Sequence, residues 1–426
     1  MSNSEEQPQE QPQEEPQEQG VRKTFIQVFV EEVSASPLTI TILAIVSALI
    51  LGGLLVALTS EDVYAAWGES PWLAIKTGFQ AAWNTYVALF EGAIGDPARI
   101  FAALQGGDAE EIRRAFNPFF ETLVQSTPLI FTGLALALGF RAGLFNIGAE
   151  GQLFIGAIFA VAAGIYFKGL PPIIHVPLAF LIGALGGALW GFVPGLLKAK
   201  TGAHEVINTI MMNYIAFRLS EWLLRGPLQA PNSFVPISAN IEDSAKLWKF
   251  FGSPIRFHAG FLIALLMAWL VYWFLFKTRW GFDFRSVGVN PRASRYSGMN
   301  IVLVTVLAMS FSGALAGMAG ANEVLGVNYN LAVAFSSGYG FDAIAIALLG
   351  KSHPLGVVLA ALLFGALRSG AVQMQLQAGI PVDIISVMQA FILAFIAAPA
   401  IIRTIYRLKT PSVYTEDVFV RGWGGD

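Results

Sequence analysis

Long apolar runs separated by short polar segments dominate the chain. Residues 38–58 are uncharged, and they follow the basic pair Arg22 and Lys23. Comparable runs cover 121–140, 149–168, 173–197, 204–225, 258–276, 301–320, 338–350, 353–372 and 382–402. Runs of this length suit membrane crossing, and hydrocarbon leaves backbone polar groups no water to bond, so helices are expected. The pattern predicts an all-α, polytopic transmembrane helical bundle of about ten spans over residues 38–408.

The run at 338–350 is too short for an ordinary crossing at about 1.5 Å rise per residue. We expect either a half-helix or a re-entrant segment there. Broken elements of this kind are tolerated in a membrane where they line a cavity or lie buried in protein.

The composition supports a membrane protein. Only 13% of residues are charged, 55% are hydrophobic and the mean hydropathy is +0.60, whereas soluble domains carry roughly 25% charged residues. The chain has no cysteine and four histidines. Disulfides, thiolate metal sites and cysteine nucleophiles are therefore excluded, and we expect no metal or cofactor.

Residues 1–24 form an acidic N-terminal segment. The first 20 residues include six Glu and no Lys or Arg. This Pro/Gln/Glu-rich stretch lacks the apolar side chains needed to offset ordering entropy, which predicts a disordered tail. A functional acidic tail is the alternative. Residues 409–426 are interpreted as a C-terminal tail.

Basic residues predict the orientation. They cluster at 22–23, Arg141, 198–200, 277–295 and 403–409. The positive-inside rule then places these segments and both termini in the cytoplasm. Residues 60–118, with eight acidic and four basic residues, form an outer insertion. Together with 226–257 they either cap the outer mouth or pack at the interface through aromatic anchors.

Glycines recur at helix-packing intervals in two of the predicted spans. Gly183, Gly187 and Gly191 follow small-xxx-small steps in one span, and Gly313 and Gly317 do so in another. Such residues let two helices approach closely in a membrane. Packing alone accounts for this pattern.

Two polar segments interrupt the apolar pattern. The first, 143–152, holds Asn146, Glu150 and Gln152 among glycines, and it is interpreted as a pore-lining bend or as a capped helix start. The second, 204–214, places Glu205, Asn208, Thr209 and Met212 on one helix face, with Asn213 nearby. It is interpreted as pore lining or as bonding between helices.

The segment 278–300 holds four Arg and an Asn-Pro turn. Asn290 suits a helix cap and Pro291 a first helical position, so a short helix is expected from Pro291 to Tyr296. A protruding cytoplasmic helix is a surface on which an ATPase subunit could push. A positive-inside loop is the alternative.

Two apparent motifs fail. The segment 349–352 (LGKS) resembles the end of a phosphate loop, but Ala345 stands where the first glycine is required. His204-Glu205 begins like a zinc-protease helix, but Asn208 replaces the second histidine. No catalytic set or basic, aromatic-laced patch for nucleic acid is visible. The sequence therefore predicts neither an enzyme nor a nucleic-acid-binding protein, and any ATP used would bind another subunit.

Four segments carry a family resemblance, which covers roughly residues 38–408. They are 145–152 (FNIGAEGQ), 205–214 (EVINTIMMNY), 288–298 (GVNPRASRYSG) and 88–95 (ALFEGAIG). In these the chain resembles permease subunits of ABC importers of the branched-chain-amino-acid/ribose type, and most of all the longer permease of bacterial nucleoside importers.

The resemblance implies a multi-pass subunit of a bacterial cytoplasmic (inner) membrane that imports nucleosides or related small polar solutes by alternating access. The implied partners are membrane lipid, an ATP-binding subunit, a second permease and an extracytoplasmic substrate-binding lipoprotein. The family's coupling helix corresponds here to residues 291–298. The residues assigned to ATPase coupling are Gly288, Asn290, Pro291, Arg292, Ala293, Tyr296 and Gly298.

Polarity at membrane depth then suggests a substrate pathway along Asn146, Glu150, Gln152, Asn208, Thr209 and Asn213. An ion- or proton-coupled secondary transporter is the alternative function. It would use the broken element at 338–350, with Asp342 as the coupling site. Capping of a helix is the simpler interpretation of Asp342.

Overall fold

The computed structural model describes residues 36–231 and 233–408. The predictions for the tails at 1–24 and 409–426, and for the basic pair at 22–23, lie outside the described residues. Helices account for nearly all the regular structure in the described ranges. They are α1 (Pro37–Thr59), α2 (Glu61–Trp67), α3 (Pro71–Ile94), α4 (Pro97–Gly106), α5 (Ala109–Arg141), α6 (Ala149–Tyr166), α7 (Pro172–Thr201), α8 (Glu205–Leu224), α9 (Gly260–Lys277), α10 (Arg279–Val289), α11 (Pro291–Tyr296), α12 (Ile301–Asn322), α13 (Tyr339–Leu349), α14 (Pro354–Ala378), α15 (Asp383–Ala397) and α16 (Pro399–Ile405).

The predicted all-α transmembrane bundle is confirmed, because the predicted apolar runs are helical over most of their length, although the run 382–402 is divided between α15 and α16. Within the described residues, seven helices are long and apolar enough to cross a membrane: α1, α5, α6, α7, α9, α12 and α14. The pair α15–α16 is bent by 90° and makes an eighth crossing if it counts as one span. The other two predicted spans fall short for different reasons: α8 is too polar, and α13 has only 11 residues.

Helices α5, α6, α7 and α12 form the centre of the bundle. Helices α7 and α12 are in closest contact because glycines face each other. A Cβ atom built on Gly187 would lie 2.1 Å from the backbone oxygen of Gly313, and one on Gly156 of α6 would lie 2.3 Å from Cα of Gly317. No side chain fits at these distances, so the small-residue pattern sets the separation of the helices.

One end of the bundle brings together Arg141, Arg285 and Lys351, and we call it the basic face. Arg141, at the end of α5, donates from Nε to the backbone oxygen of Ser352 at 3.1 Å. Its guanidinium also lies 5.7 Å from the ring centroid of Phe276, which the guanidinium of Arg285 approaches to 5.2 Å. The ends of α5, α9 and α13 and the start of α10 therefore meet at the basic face.

The opposite end is covered by the segment between α8 and α9. Its backbone bonds to the chain that follows α12: the N–H of Ser238 donates to Leu331 O at 2.8 Å, and that of Leu247 to Leu325 O at 2.8 Å. Helix α3, from the predicted insertion at 60–118, packs along α1 and α14. Both segments thus belong to the bundle's packing.

The short element predicted at 338–350 is a helix of half length. Helix α12 continues into a π-helical turn, Glu323–Asn328, and the chain then runs without helix to Gly338. Helix α13 begins beside the C-terminal half of α5, where Thr132 Oγ1 donates to Tyr339 O at 3.2 Å. It ends at the basic face. The helical path is therefore interrupted at the depth where α13 starts.

Candidate functional site

The segment α10–α11 projects from the basic face. Asn290 caps α11, since its Oδ1 accepts from the backbone N–H of Ala293 at 3.0 Å, and Pro291 occupies the first helical turn. The predicted short helix and its cap are confirmed. Tyr296, at the end of α11, is 96% exposed, and Arg292 and Gly298 are also exposed. Helix α11 therefore offers a free surface for another protein.

Helix α10 fixes α11 to the bundle. Phe284 is fully buried, with its ring 5.2 Å from that of Phe274 on α9 and 6.2 Å from that of Phe311 on α12. Gly288 lies against the end of α5, because a Cβ atom there would be 2.3 Å from Arg141 O. Phe284 therefore packs α10 against both α9 and α12.

The polar bend before α6 forms a closed hydrogen-bond cluster. Asn146 Nδ2 donates to Gln152 Oε1 and to Ser312 Oγ, both at 2.8 Å, and Asn146 Oδ1 accepts from the N–H of Gly148 at 3.0 Å. Ser312 Oγ donates onward to Ala135 O at 2.7 Å. All three side chains are at most 1% exposed. The cluster therefore joins the bend to α5 and α12.

Helix α8 is attached to the same bend by Asn213. Its Oδ1 accepts from the N–H of Gly151 at 2.8 Å, and its Nδ2 donates to Ile147 O at 2.9 Å. Thr209 bonds back to Glu205 O within α8 at 2.8 Å. Asn208 differs from both, because its Nδ2 is buried without a hydrogen-bond partner among the described residues.

Glu150 has a separate role. Its carboxyl group accepts from Ser336 Oγ at 2.5 Å and from the N–H of Gly340 at 2.6 Å, and the side chain is 3% exposed. These donors lie just before and within the first turn of α13, whose unpaired N–H groups need acceptors. Glu150 thus caps the half-helix from the start of α6.

The structure brings five of the six predicted pathway residues together around the bend. Asn146, Glu150, Gln152, Thr209 and Asn213 are all buried and paired, whereas Asn208, which directly precedes Thr209 in α8, is only partly buried. The bonds from Asn213 to the bend agree with the interpretation of 204–214 as bonding between helices, whereas Thr209 bonds only within α8. Contact with a substrate stays a prediction.

Sequence reasoning missed Arg368 on α14. Its Nη2 donates to Asp342 Oδ2 and, at 2.9 Å, to Ser337 O, while the guanidinium lies 4.8 Å from the ring centroid of Tyr339. The signal was present, because Arg368 is an ionisable residue inside a predicted span and such residues mark functional sites by default. Asp342, the ion-coupling candidate, is therefore paired with a cation.

No metal site is found in the described part of the chain, where no group of three or more His, Cys, Asp or Glu is placed to hold an ion. The rejected phosphate-loop segment closes the end of α13. The N–H of Ser352 donates to Ala347 O at 2.8 Å, and Lys351 and Ser352 both have positive φ.

These features define a class: a polytopic membrane permease with a broken helix and an exposed connecting helix. Residues 119–397 match the family described as the permease component of branched-chain amino acid transport systems, and the chain belongs to that family. It is a membrane-spanning permease subunit of the ABC importer type. The family assignment favours this interpretation over an ion-coupled transporter.

Several relatives support the assignment. The chain is 44% identical to the guanosine ABC transporter permease protein NupP of Bacillus subtilis over 66% of its length and 82% of that protein's. It is 37% identical to the glucose ABC transporter permease protein TsgB13 of Haloferax volcanii, over 65% and 75%. Identity to the nucleoside ABC transporter permease protein NupB of Lactococcus lactis is 36%, over 66% and 79%. No solved structure matches the chain.

Proposed function

We propose that this chain imports nucleosides as one of two permease subunits of an ATP-driven importer in a bacterial cytoplasmic membrane. A separate ATP-binding subunit would dock on α11, and an extracytoplasmic lipoprotein would deliver the substrate. The exposed, capped helix α11, anchored to α9 and α12 through Phe284, carries the coupling part of this proposal.

The substrate class rests on the relatives. NupP is named for guanosine and NupB for nucleosides, whereas TsgB13 is named for glucose. The higher identity to NupP favours nucleosides. A sugar is the second candidate, and the two share hydroxyl groups that would bond to the same polar side chains.

Alternating access is the proposed mechanism. ATP binding by the partner moves α11, and α10 transmits the movement to α9 and α12. Helix α12 leads directly into the π-helical turn Glu323–Asn328 and the break before α13. Irregular backbone at this depth has fewer regular hydrogen bonds than a continuous helix and therefore opens more easily. It is a suitable place for a gate.

Uptake by cells that express the importer tests this function. Labelled guanosine should accumulate, unlabelled glucose should not compete, and removal of this chain should abolish accumulation. Vanadate, which inhibits the ATPase, should stop uptake. A protonophore, which removes the proton gradient, should not be the selective inhibitor. Uptake sensitive to the protonophore alone would contradict the ATP-driven mechanism, and glucose uptake without guanosine uptake would favour the second candidate.

Co-purification tests the proposed partners. In a mild detergent this chain should recover an ATPase subunit and a second permease. A matched pair of single cysteines tests the orientation, since the natural chain has none. Tyr296→Cys on α11 should react with a membrane-impermeant maleimide only in inside-out vesicles, whereas Trp248→Cys, exposed at the opposite end, should react in intact cells.

Asn208 offers the clearest test of the predicted pathway. Because its Nδ2 is unpaired, Asn208→Ala breaks no hydrogen bond within the described residues. The variant should assemble normally and transport more slowly if this amide contacts substrate. Asn146→Ala removes bonds to Gln152 and Ser312, so reduced assembly is expected in addition. Normal transport by both variants would remove the pathway assignment.

A further inference from the structure

A cavity of about 570 Å³ opens between α5, α13, α14 and α15, away from the closed cluster around Asn146. Its size lies within the roughly 300–1,000 Å³ of small-molecule sites. A smaller cavity of about 200 Å³ adjoins it, and both are lined by Gln125 and Ser337. The smaller cavity reaches Asn328 and Arg256, beside the segments that cover the end opposite the basic face. The two cavities therefore lie next to each other, with the smaller one toward that end.

The larger cavity is an open groove that extends along α15. Its lining runs along α15 from Asp383, the first residue of that helix, to Leu393. Ten helical residues correspond to about 15 Å, roughly half of a hydrocarbon core. The other wall is the first turn of α13, which Glu150 caps. The cavity therefore ends beside the break in the chain.

The charged lining is partly open to the cavity. Side chains of Asp342 and Arg368 are paired with each other and remain 25% and 18% exposed. Charged groups within a membrane bundle normally face its interior or a water-filled path. With Asp383, the cavity presents two carboxyl groups and one guanidinium. This set offers acceptors and donors to a neutral polar solute and disfavours an additional anion.

Gln389 supplies a second, independent observation. It lines the cavity from α15, it is 9% exposed, and its Nε2 is buried without a hydrogen-bond partner among the described residues. An unpaired buried donor is costly and calls for an explanation. An acceptor on a bound solute would satisfy it after a side-chain rotation that turns the amide into the cavity. Phe341, which is 46% exposed, adds aromatic surface to the same cavity, and this surface suits a planar ring system.

We propose that this cavity holds the substrate in transit and selects uncharged nucleosides over nucleoside phosphates. Gln389 makes a hydrogen bond to the base or ribose through its free amide, and the Asp342–Arg368 pair makes hydrogen bonds to hydroxyl groups. The ring of Phe341 contacts the base. The proposal rests on the nucleoside-import function given above. It adds the place of binding and the reason why phosphorylated forms are rejected.

Single-cysteine protection tests the site directly. In the complete importer, Ser386→Cys on α15 places a thiol in the cavity lining, and Val387→Cys places one on the next residue, outside it. Guanosine at ten times its half-protecting concentration should slow N-ethylmaleimide labelling of the Ser386→Cys thiol about tenfold, following 1 + [L]/Kd. Labelling of the Val387→Cys thiol should not change, and guanosine 5′-monophosphate should protect neither.

Transport by a matched pair of glutamine variants tests the free amide. Gln389→Leu should lower the maximal rate of guanosine uptake about tenfold, which corresponds to about 1.4 kcal/mol. Gln377→Leu, at an exposed position on α14 outside the cavity, should leave the rate unchanged. Immunoblots of membranes establish that the variants are equally abundant. The cysteine test retains Gln389, so it does not depend on whether Gln389→Leu folds.

The outcomes separate this inference from the proposed function. If the wild type takes up guanosine but guanosine does not protect the Ser386→Cys thiol, the cavity is not the substrate site and the function stands. Equal protection by the monophosphate overturns the charge argument. Unchanged uptake by Gln389→Leu overturns the role of its amide. A wild type that takes up no nucleoside refutes the proposed function, and this inference with it.

Discussion

Glu150 joins the start of α6 to the start of the half-helix α13, and its removal should have a measurable cost. Glu150→Ala leaves the buried N–H of Gly340 and the hydroxyl of Ser336 without their acceptor. An unsatisfied buried donor costs about 1–3 kcal/mol, and an ordinary hydrogen bond contributes about 1 kcal/mol. The expected loss of stability is therefore about 2–4 kcal/mol. Glu150→Gln keeps one acceptor oxygen and should lose about half as much.

Two assays measure this effect. The melting temperature of the purified protein, followed by size-exclusion chromatography after heating, should fall in the order wild type, Glu150→Gln, Glu150→Ala. A domain of 150–250 residues shifts by roughly 2–4 °C per kcal/mol, and a longer chain shifts less, so the alanine variant should melt several degrees lower. Hydrogen exchange of peptides covering 338–350 should accelerate, while peptides from α7 should not change.

The control is Glu61→Ala, which removes an exposed carboxyl group from the first turn of α2. It should change the melting temperature by less than about 1 °C, since surface substitutions rarely exceed 0.5 kcal/mol. The reasoning is refuted if Glu150→Ala melts with the wild type, or if exchange increases equally in every helix. The first result would mean that the carboxyl group does not stabilise the break, and the second that the change is not local.

Three further predictions concern packing, capping and a partly exposed ion pair. Gly187→Leu should abolish accumulation in the membrane, since even a Cβ atom meets the backbone of α12, whereas Gly106→Leu, with open space around it, should accumulate normally; equal immunoblot signals would contradict this. Asn290→Ala should weaken α11 by about 1 kcal/mol and lower substrate-stimulated ATP hydrolysis by the importer. Asn290→Asp should keep both the helix stability and the stimulated hydrolysis. Unchanged hydrolysis by the alanine variant would remove the coupling role. Glu205→Gln breaks an ion pair of 2.8 Å with Lys198, yet both side chains are partly exposed, so the loss should stay below about 1 kcal/mol; a melting temperature several degrees lower would show that this pair matters more than its exposure suggests.

Local sequence determined most of the apolar helices, but not the helices within 60–118 or the break between α15 and α16. Apolar length was sufficient to locate all ten predicted segments, because a helix satisfies its own backbone within one stretch of chain. The cap of α11 was predictable because Asn290 bonds to the backbone N–H of Ala293, only three residues along the chain. The glycines of α7 and α12 also predicted a close contact between helices, since only small residues permit it.

Tertiary structure decided the roles of the polar side chains. Asn146 and Ser312 are 166 residues apart in the chain, and Glu150 and Gly340 are 190 apart, so no periodicity relates them. A polar residue at membrane depth must find a partner, but its own sequence does not say whether that partner is protein or solute. Packing of α6, α8 and α12 assigned protein partners to the cluster around Asn146. The same packing left an amide of Gln389 unpaired beside a cavity that no linear pattern had indicated.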